Sequence, residues 1–281
     1  MRIAQVSLPA QSVVSYLTEE LVRLGHDVTL FANGEAALER LRRRAGEFDV
    51  LHFHLEGAHF PLFRELARKT LTTLHGRLDA PGLALRLQAF AGMPLAAVSD
   101  SQRGALPSAS WLGTVHHGLP AEVCPLNPVA PRGPARYLAF LGGESPEDGL
   151  HRAVEIAQRA GMRLRAVAEV GEAAKPGFLG NASALLFPID RLEPFGLTMI
   201  EAMSCGTPVI GWRRGAVPEV VDPGVTGFVV DTIGEAASAV GAAARLDRTR
   251  VRERFEQRFS ARRMARDYLA LYRTLGRTGL T

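Results

Sequence analysis

Two carboxylates stand with seven residues between them in the run Glu193-Pro-Phe-Gly-Leu-Thr-Met-Ile-Glu201, which continues into Ala-Met-Ser-Cys-Gly-Thr-Pro. Pro194 suits a first helical turn, and Gly206 and Pro208 suit a stop, so the spacing predicts a helix over Phe195–Ser204. Amides near Gly196, Leu197 and Thr198 would then point out of the helix start, where the positive end of the dipole makes an anion site fit for a diphosphate. A glycine at 196 would let a phosphate oxygen come close. Eight residues at about 1.5 Å each separate the carboxylates by roughly 12 Å. That is too far for an adjacent acid/base pair, but it suits the two ends of a nucleotide sugar, one carboxylate at the sugar and one at the ribose. Two helix-borne glutamates are usually solvated side chains, and these residues alone leave both readings open.

Elements able to position such a site are legible on both sides of it. Arg2–Leu8 reads as a buried strand, Ser12–Leu24 as an amphipathic helix stopping at Gly25, and Asp27–Ala32 as a second strand, together a βαβ unit. Further strands are expected at Asp49–His54, Thr70–Leu74 and Leu95–Ser99, with Val115–His117 closing this half. Four prolines between Cys124 and Pro134 exclude a helix or central strand, which places a linker there. A second series follows: strand Tyr137–Leu141, helix Leu150–Ala160, strands Leu164–Val170 and Ala184–Pro188, the helix just described, and strand Pro208–Trp212. The expected fold class is α/β, two Rossmann-like domains facing a cleft at the carboxyl ends of mostly parallel sheets. The divisions are 1–124, a linker 125–134, 135–256, and a helical segment 257–281 crossing back to the first domain. Over Arg250–Leu275, Phe255, Phe259, Met264, Tyr268, Leu271 and Tyr272 recur at spacings that suit helices packed on the body of the protein.

A length of 281 residues, 47% apolar and 22% charged, agrees with two domains that each bury a core. The formal charge of +4 comes mostly from arginine. It favours phosphate-bearing ligands or an anionic membrane surface, or simply reflects solvated helix faces. Cys124 and Cys205 are the only cysteines and lie far apart in sequence, which argues against a disulfide scaffold or zinc site and fits a reducing cytoplasm. No apolar run approaches the roughly 20 residues of a membrane span, so the expected location is cytoplasmic, with peripheral contact to the inner face of a membrane as a further option. The first turn lacks G-x-G-x-x-G, and the basic residues are scattered without a nucleic-acid-binding motif, so neither a dinucleotide nor a nucleic-acid partner is expected.

The E-x7-E spacing of Glu193 and Glu201 resembles the signature of family-four, GT-B-fold retaining glycosyltransferases. The same family is matched by Cys-Gly-Thr-Pro-Val-Ile at 205–210, Val-Pro-Glu-Val-Val at 217–221 and Gly-Val-Thr-Gly-Phe-Val-Val at 224–230. Toward the other end, Leu-Gly-His-Asp-Val-Thr-Leu-Phe-Ala at 24–32, Thr-Leu-His-Gly at 73–76, Ser-Asp-Ser-Gln at 99–102 and Phe-Ser-Ala-Arg-Arg-Met-Ala at 259–265 extend it over nearly the whole chain. The resemblance implies a retaining hexosyltransferase that takes a nucleoside-diphosphate sugar as co-substrate, needs no metal or other cofactor, and glycosylates a carbohydrate, lipid or small-molecule acceptor. It assigns Glu193 and His75 to catalysis beside the sugar. It places Phe195, Gly196, Leu197, Thr198, Glu201, Gly142 and Gly143 at the donor, with Glu201 on the ribose.

Several positions depart from that pattern. Where the family carries a basic pair in the loop after the first strand of the second domain, this chain has Gly143 and Asp148, so two diphosphate-neutralising cations are absent. The connection Ser7–Ser12 is short, and only Gly-Glu-Ala-Ala-Lys-Pro-Gly separates Val170 from Phe178, which predicts a second sheet one strand smaller. These losses motivate an alternative, a catalytically degenerate GT-B protein that binds a nucleotide or carbohydrate as a partner or regulatory subunit. His52 and His54 alternate along a strand and face one side, suiting a cleft lining or structural role better than a metal pair. His116 and His117 point to opposite faces, and Arg42–Arg44 read as a solvated helix end.

Overall fold

The computed structural model describes the chain except residues 9–10, 33, 130–135 and 277–281, so the second half of the expected linker lies outside the described residues. Two compact units are present, Met1–Gly118 with Ala261–Thr281, and Leu119–Ser260. These divisions fall six residues before the expected end of the first domain, and between the last two helices rather than at 256.

In the first unit the strands are β1 (Arg2–Ser7), β2 (Asp27–Ala32), β3 (Val50–His54), β4 (Thr70–Thr73), β5 (Leu95–Ala97) and β6 (Trp111–Thr114). They form one sheet in the order β2-β1-β3-β4-β5-β6, every pairing parallel. Between them run α1 (Ser12–Arg23), α2 (Glu35–Arg44), α3 (Phe60–Phe63), α4 (Leu83–Ala89) and α5 (Asp100–Ala105). Helices on both faces explain why all five residues of β3 are buried, histidines included. The expected closing strand at Val115–His117 is displaced: β6 lies four residues earlier. Gly113 conceals it in the sequence, because this strand residue has no side chain of its own. An added Cβ would stand 3.0 Å from Leu271 Cδ2.

The second unit contains β7 (Tyr137–Leu141), α6 (Leu150–Arg159), β8 (Arg163–Val167), α7 (Lys175–Gly180), β9 (Ala184–Phe187), α8 (Leu197–Ser204), β10 (Val209–Trp212), α9 (Val217–Val220), β11 (Gly227–Val230), α10 (Ile233–Ala243) and α11 (Arg248–Phe259). Its five-stranded parallel sheet has the order β11-β10-β9-β7-β8, one strand fewer than the first. Leu138, Phe140, Leu186, Ile210 and Val230 of the strands pack with Ala153, Ile156 and Val240 of α6 and α10 into its core. Arg248 of α11 is buried without a carboxylate partner among the described residues. Its guanidinium instead donates to the carbonyls of Asn127, Ala182, Gly180 and Cys205 and to Thr207 Oγ1, which satisfies the charge by hydrogen bonding. The chain then passes to α12 (Ala261–Tyr272), which lies on α1 in the first unit and buries Met264, Tyr268 and Tyr272. The expected packing role of these apolar residues is what is observed.

Candidate functional site

Chemistry-bearing side chains of the second unit gather past the carboxyl ends of its strands. The expected helix over Phe195–Ser204 begins later, at Leu197, with Gly196 as a left-handed cap at φ +82°. Pro194 therefore precedes the helix, and the 12 Å helical estimate for the two glutamates does not apply to Glu193. Gly196 is required by that backbone conformation, and an added Cβ would also stand 2.8 Å from both Phe187 Cζ and Met199 Cε. The amides of Gly196, Leu197 and Thr198 have no acceptor among the described residues, whereas Met199 N donates to Gly196 O at 3.0 Å. Phe195 turns its ring into the core, edge-on to Phe259 at 6.0 Å, so what it offers a ligand is its backbone.

Both signature carboxylates have cationic partners. Glu193 Oε2 accepts from Arg191 Nε at 3.2 Å, and the same guanidinium donates through Nη1 to Asp148 Oδ1. Asp148 Oδ2 lies where a side chain at 143 would begin, 2.7 Å from a Cβ built on Gly143. Gly142 precedes it, tied by its amide to Val167 O. The loop that lacks the expected basic pair thus holds a carboxylate over a glycine, and a cation from the β9–α8 loop closes on it. On α8, Glu201 is buried and its Oε1 accepts from Lys175 Nζ at 2.8 Å, while Lys175 also reaches Glu172 at 2.8 Å. Burial raises the Glu201 carboxyl above its ordinary value against the pull of Lys175. For Lys175 burial works the other way, but the bonds to Glu172 and Glu201 outweigh it and raise its pKa. Sequence reasoning found neither Arg191 nor Lys175. The available signal was that Lys175 is the single cation in the shortened Val170–Phe178 segment.

A different set occupies the carboxyl edge of the first sheet. His75 follows β4, and its Nε2 lies 2.9 Å from Nδ1 of His54, the last residue of β3. The rings of His52 and His54 stand 4.0 Å apart, as the alternation of strand side chains requires, and His75 stacks on His117 at 5.2 Å. His52 is committed on both nitrogens, Nδ1 to Tyr272 OH at 2.7 Å and Nε2 to Thr73 Oγ1 at 2.8 Å, so it is not free to ligate a metal. Burial lowers every one of these histidines, His75 to about 4 and His52, His54 and His117 well below the usual 6.5. The loop carrying His75 is pinned by Gln102, whose Nε2 donates to Leu74 O and Gly76 O while its Oε1 accepts from Val98 N. Ser99 caps α5 by accepting from Gln102 N, an S-x-x-Q helix start legible in Ser99-Asp-Ser-Gln102. Beside this loop a cavity of about 410 Å³ is walled by Glu56, Gly76, Arg77, Asp79, Leu83 and Arg86. His116 and His117 are held from α12, where Arg263 Nη2 donates to both carbonyls at 2.8 Å.

Residues 131–260, the stretch that carries every second-unit feature just described, match the family model for glycosyl transferases group 1. The whole chain superposes on AviGT4, a glycosyltransferase involved in avilamycin A biosynthesis, with a TM-score of 0.75 at 21% identity over 99% of each chain. It superposes on sucrose-phosphate synthase from Thermosynechococcus elongatus with a TM-score of 0.72 at 18% identity, over 98% of this chain and 99% of that one. The fold is GT-B. Anabaena HepE in complex with UDP gives a TM-score of 0.73 at 15% identity, over 98% and 100% of the chains. N-acetyl-alpha-D-glucosaminyl L-malate synthase of Bacillus anthracis is 46% identical over 61 residues, 21% of this chain and 16% of that protein. D-inositol 3-phosphate glycosyltransferase of Saccharomonospora viridis is 40% identical over 88 residues, 29% of this chain and 20% of that protein. The stretches aligned with these two relatives thus span a fifth or less of their length. Among the described residues no helix is long and apolar enough to cross a membrane.

Proposed function

We propose that the chain is a retaining glycosyltransferase that moves a hexosyl group from a nucleoside-diphosphate sugar to a hydroxyl acceptor without a metal. The observation that carries this reading is the start of α8. Three amides there lack acceptors among the described residues, Glu193 stands just before them, and Glu201 follows one turn on. Fixed donors aimed at a departing phosphate act without reorganisation, and one such contact typically contributes about 10²–10³ in rate. Arg191 is a cation on the same loop that can exchange carboxylate oxygens for phosphate oxygens. Glu201 Oε1 is anchored by Lys175, which leaves Oε2, unpartnered among the described residues, to accept from ribose hydroxyls.

In the reaction the bond from sugar C1 to the phosphate oxygen breaks, and a bond from C1 to the acceptor oxygen forms on the same face. The acceptor proton leaves with the phosphate. His75 serves a sugar hydroxyl, and the cavity beside it, walled by both cations and carboxylates, suits a polyhydroxylated acceptor. The test is incubation with UDP-, GDP-, ADP- and dTDP-sugars and a broad acceptor mixture, measuring nucleotide release and the product anomer. Release with the donor's anomeric configuration kept supports the reading. Nucleotide binding without release makes the chain a binding protein, and neither binding nor release overturns the site.

A further inference from the structure

The first sheet ends in imidazoles that the glycosyl-transfer reading uses only at His75. His54 Nδ1 faces His75 Nε2 at 2.9 Å, and His54 Nε2 is buried with no hydrogen-bond partner among the described residues. We infer that His54 donates its Nδ1–H to His75 Nε2 and so fixes His75 as the neutral Nδ1–H tautomer, a hydrogen-bond donor toward ligand.

One proton lies between the two rings, and its owner decides where the others go. If His75 donated, neutral His54 would carry its own proton on Nε2, a buried N–H without an acceptor. Orphaned buried N–H groups are rarer than under-satisfied acceptors, so the arrangement with a bare His54 Nε2 is favoured. His52 cannot relieve the alternative, because both its nitrogens are taken by Tyr272 and Thr73. A doubly protonated His54 is opposed by burial and by the neighbouring His52, His75 and His117. Arg263 acts in the same direction on His117, and burial keeps Tyr268 and Tyr272 as neutral phenols. His75 is only partly buried and has no other side-chain hydrogen bond among the described residues, so Nδ1 is the nitrogen left to meet a ligand. As Nδ1–H it donates to a sugar or phosphoryl oxygen and is excluded as a proton acceptor there. That catalytic meaning rests on the glycosyl-transfer reading, whereas the tautomer itself does not.

Long-range 1H–15N correlation spectra of the ligand-free, 15N-histidine-labelled protein between pH 6 and 8 read the tautomer directly, with His75 assigned through His75→Gln. The expected result is a protonated Nδ1 and a bare Nε2 on both His54 and His75. His54→Asn, which keeps an N–H at the position of Nδ1, retains the His75 tautomer. His54→Leu releases it to the Nε2–H form that unconstrained imidazole prefers. A native His75 protonated on Nε2, or an unchanged tautomer in His54→Leu, overturns the inference. Should the leucine variant fail to fold, the native spectrum decides alone. Once a donor sugar is in hand, His54→Leu is expected to lower kcat by about 10-fold or more with KM little changed, and His54→Asn to restore most of it.

Discussion

The two sheets end in opposite chemistries. At the carboxyl edge of the first, neutral imidazoles, phenols and a threonine hydroxyl bond to one another in a largely buried layer. At the corresponding edge of the second, Arg191 and Lys175 each hold two carboxylates. A neutral, donor-rich layer recognises hydroxyl groups without attracting ions, while a layer of exchangeable ion pairs suits a ligand that arrives with its own charge. The architecture is shared and the chemistry is not, so the difference between the two units is carried by the residues just beyond the strands.

Acid should separate the units most strongly. His52, His54, His59, His75 and His117 all belong to the first unit, and burial lowers each, His59 to about 3 and His75 to about 4 from an ordinary 6.5. The unfolded chain takes up these protons first, so stability falls as pH drops below 6.5 and keeps falling until the folded values are reached. Each histidine removes up to about 1.4 kcal/mol per pH unit in that window. Trp111 reports on the first unit and Trp212 on the second. Fluorescence of Trp212→Phe should show the first unit unfolding between pH 6 and 4, with Trp111→Phe showing a later transition. Simultaneous transitions would break the contrast.

Next in size is a backbone effect at Gly215, which has φ +53°. A Cβ there would stand 2.4 Å from Glu193 O and 2.6 Å from Glu193 N. Gly215→Ala must push the Glu193 loop away from the start of α8. A displacement of about 1 Å at a reacting group can cost 10²-fold, and kcat/KM should fall by that order. Gly82→Ala in the first unit is the control. Its φ of +78° is equally left-handed, but nothing lies within 4 Å of the added Cβ. It should cost about 1 kcal/mol in thermal unfolding and leave nucleotide binding alone.

The two signature glutamates should then part company. Charged hydrogen bonds contribute about 1.5–3 kcal/mol, so Glu201→Gln should weaken nucleoside-diphosphate binding by roughly 10- to 100-fold in calorimetry. Glu193→Gln should slow sugar transfer while largely sparing the sugar-free nucleotide. Equal, negligible effects of both would remove the second edge from consideration as the donor site.

Fold class and the main elements were legible because buried parallel strands are continuous apolar runs, and those runs are dense in both halves of this chain. Strand β6 is hidden in the sequence because Gly113 interrupts it just after the turn-like Pro107-Ser-Ala-Ser110, and Leu271, more than 150 residues away, fills the space above the glycine. The start of α8 was read two residues early because Pro194 and Gly196 are both ordinary helix-start residues, and a left-handed φ is not written in a sequence. Glu193, Glu201 and His75 stand out in the sequence by spacing and resemblance. Arg191 lies two residues from Glu193 in the same loop, but its bond to Asp148 on another loop, like the bonds of Glu201 to Lys175 and of His75 to His54, exists only once the chain has folded.

The smallest predicted effect has the opposite sign. Arg191 is shared between Asp148 and Glu193, and Asp148 stands where the family pattern has a lysine. Asp148→Asn removes one negative charge from the guanidinium while keeping a side chain of the same shape over Gly143. If Arg191 meets the diphosphate, it no longer has to leave a carboxylate on the Asp148 side. A partly exposed ion pair is worth up to roughly 1 kcal/mol, so nucleoside-diphosphate affinity should rise up to about fivefold. The gain should shrink at high salt, as screened charge interactions do. The same substitution should leave the acid transition of the first unit where it was. Weaker binding by Asp148→Asn would mean instead that Asp148 aims Arg191 at the ligand, so that the carboxylate belongs to the site rather than competing with it.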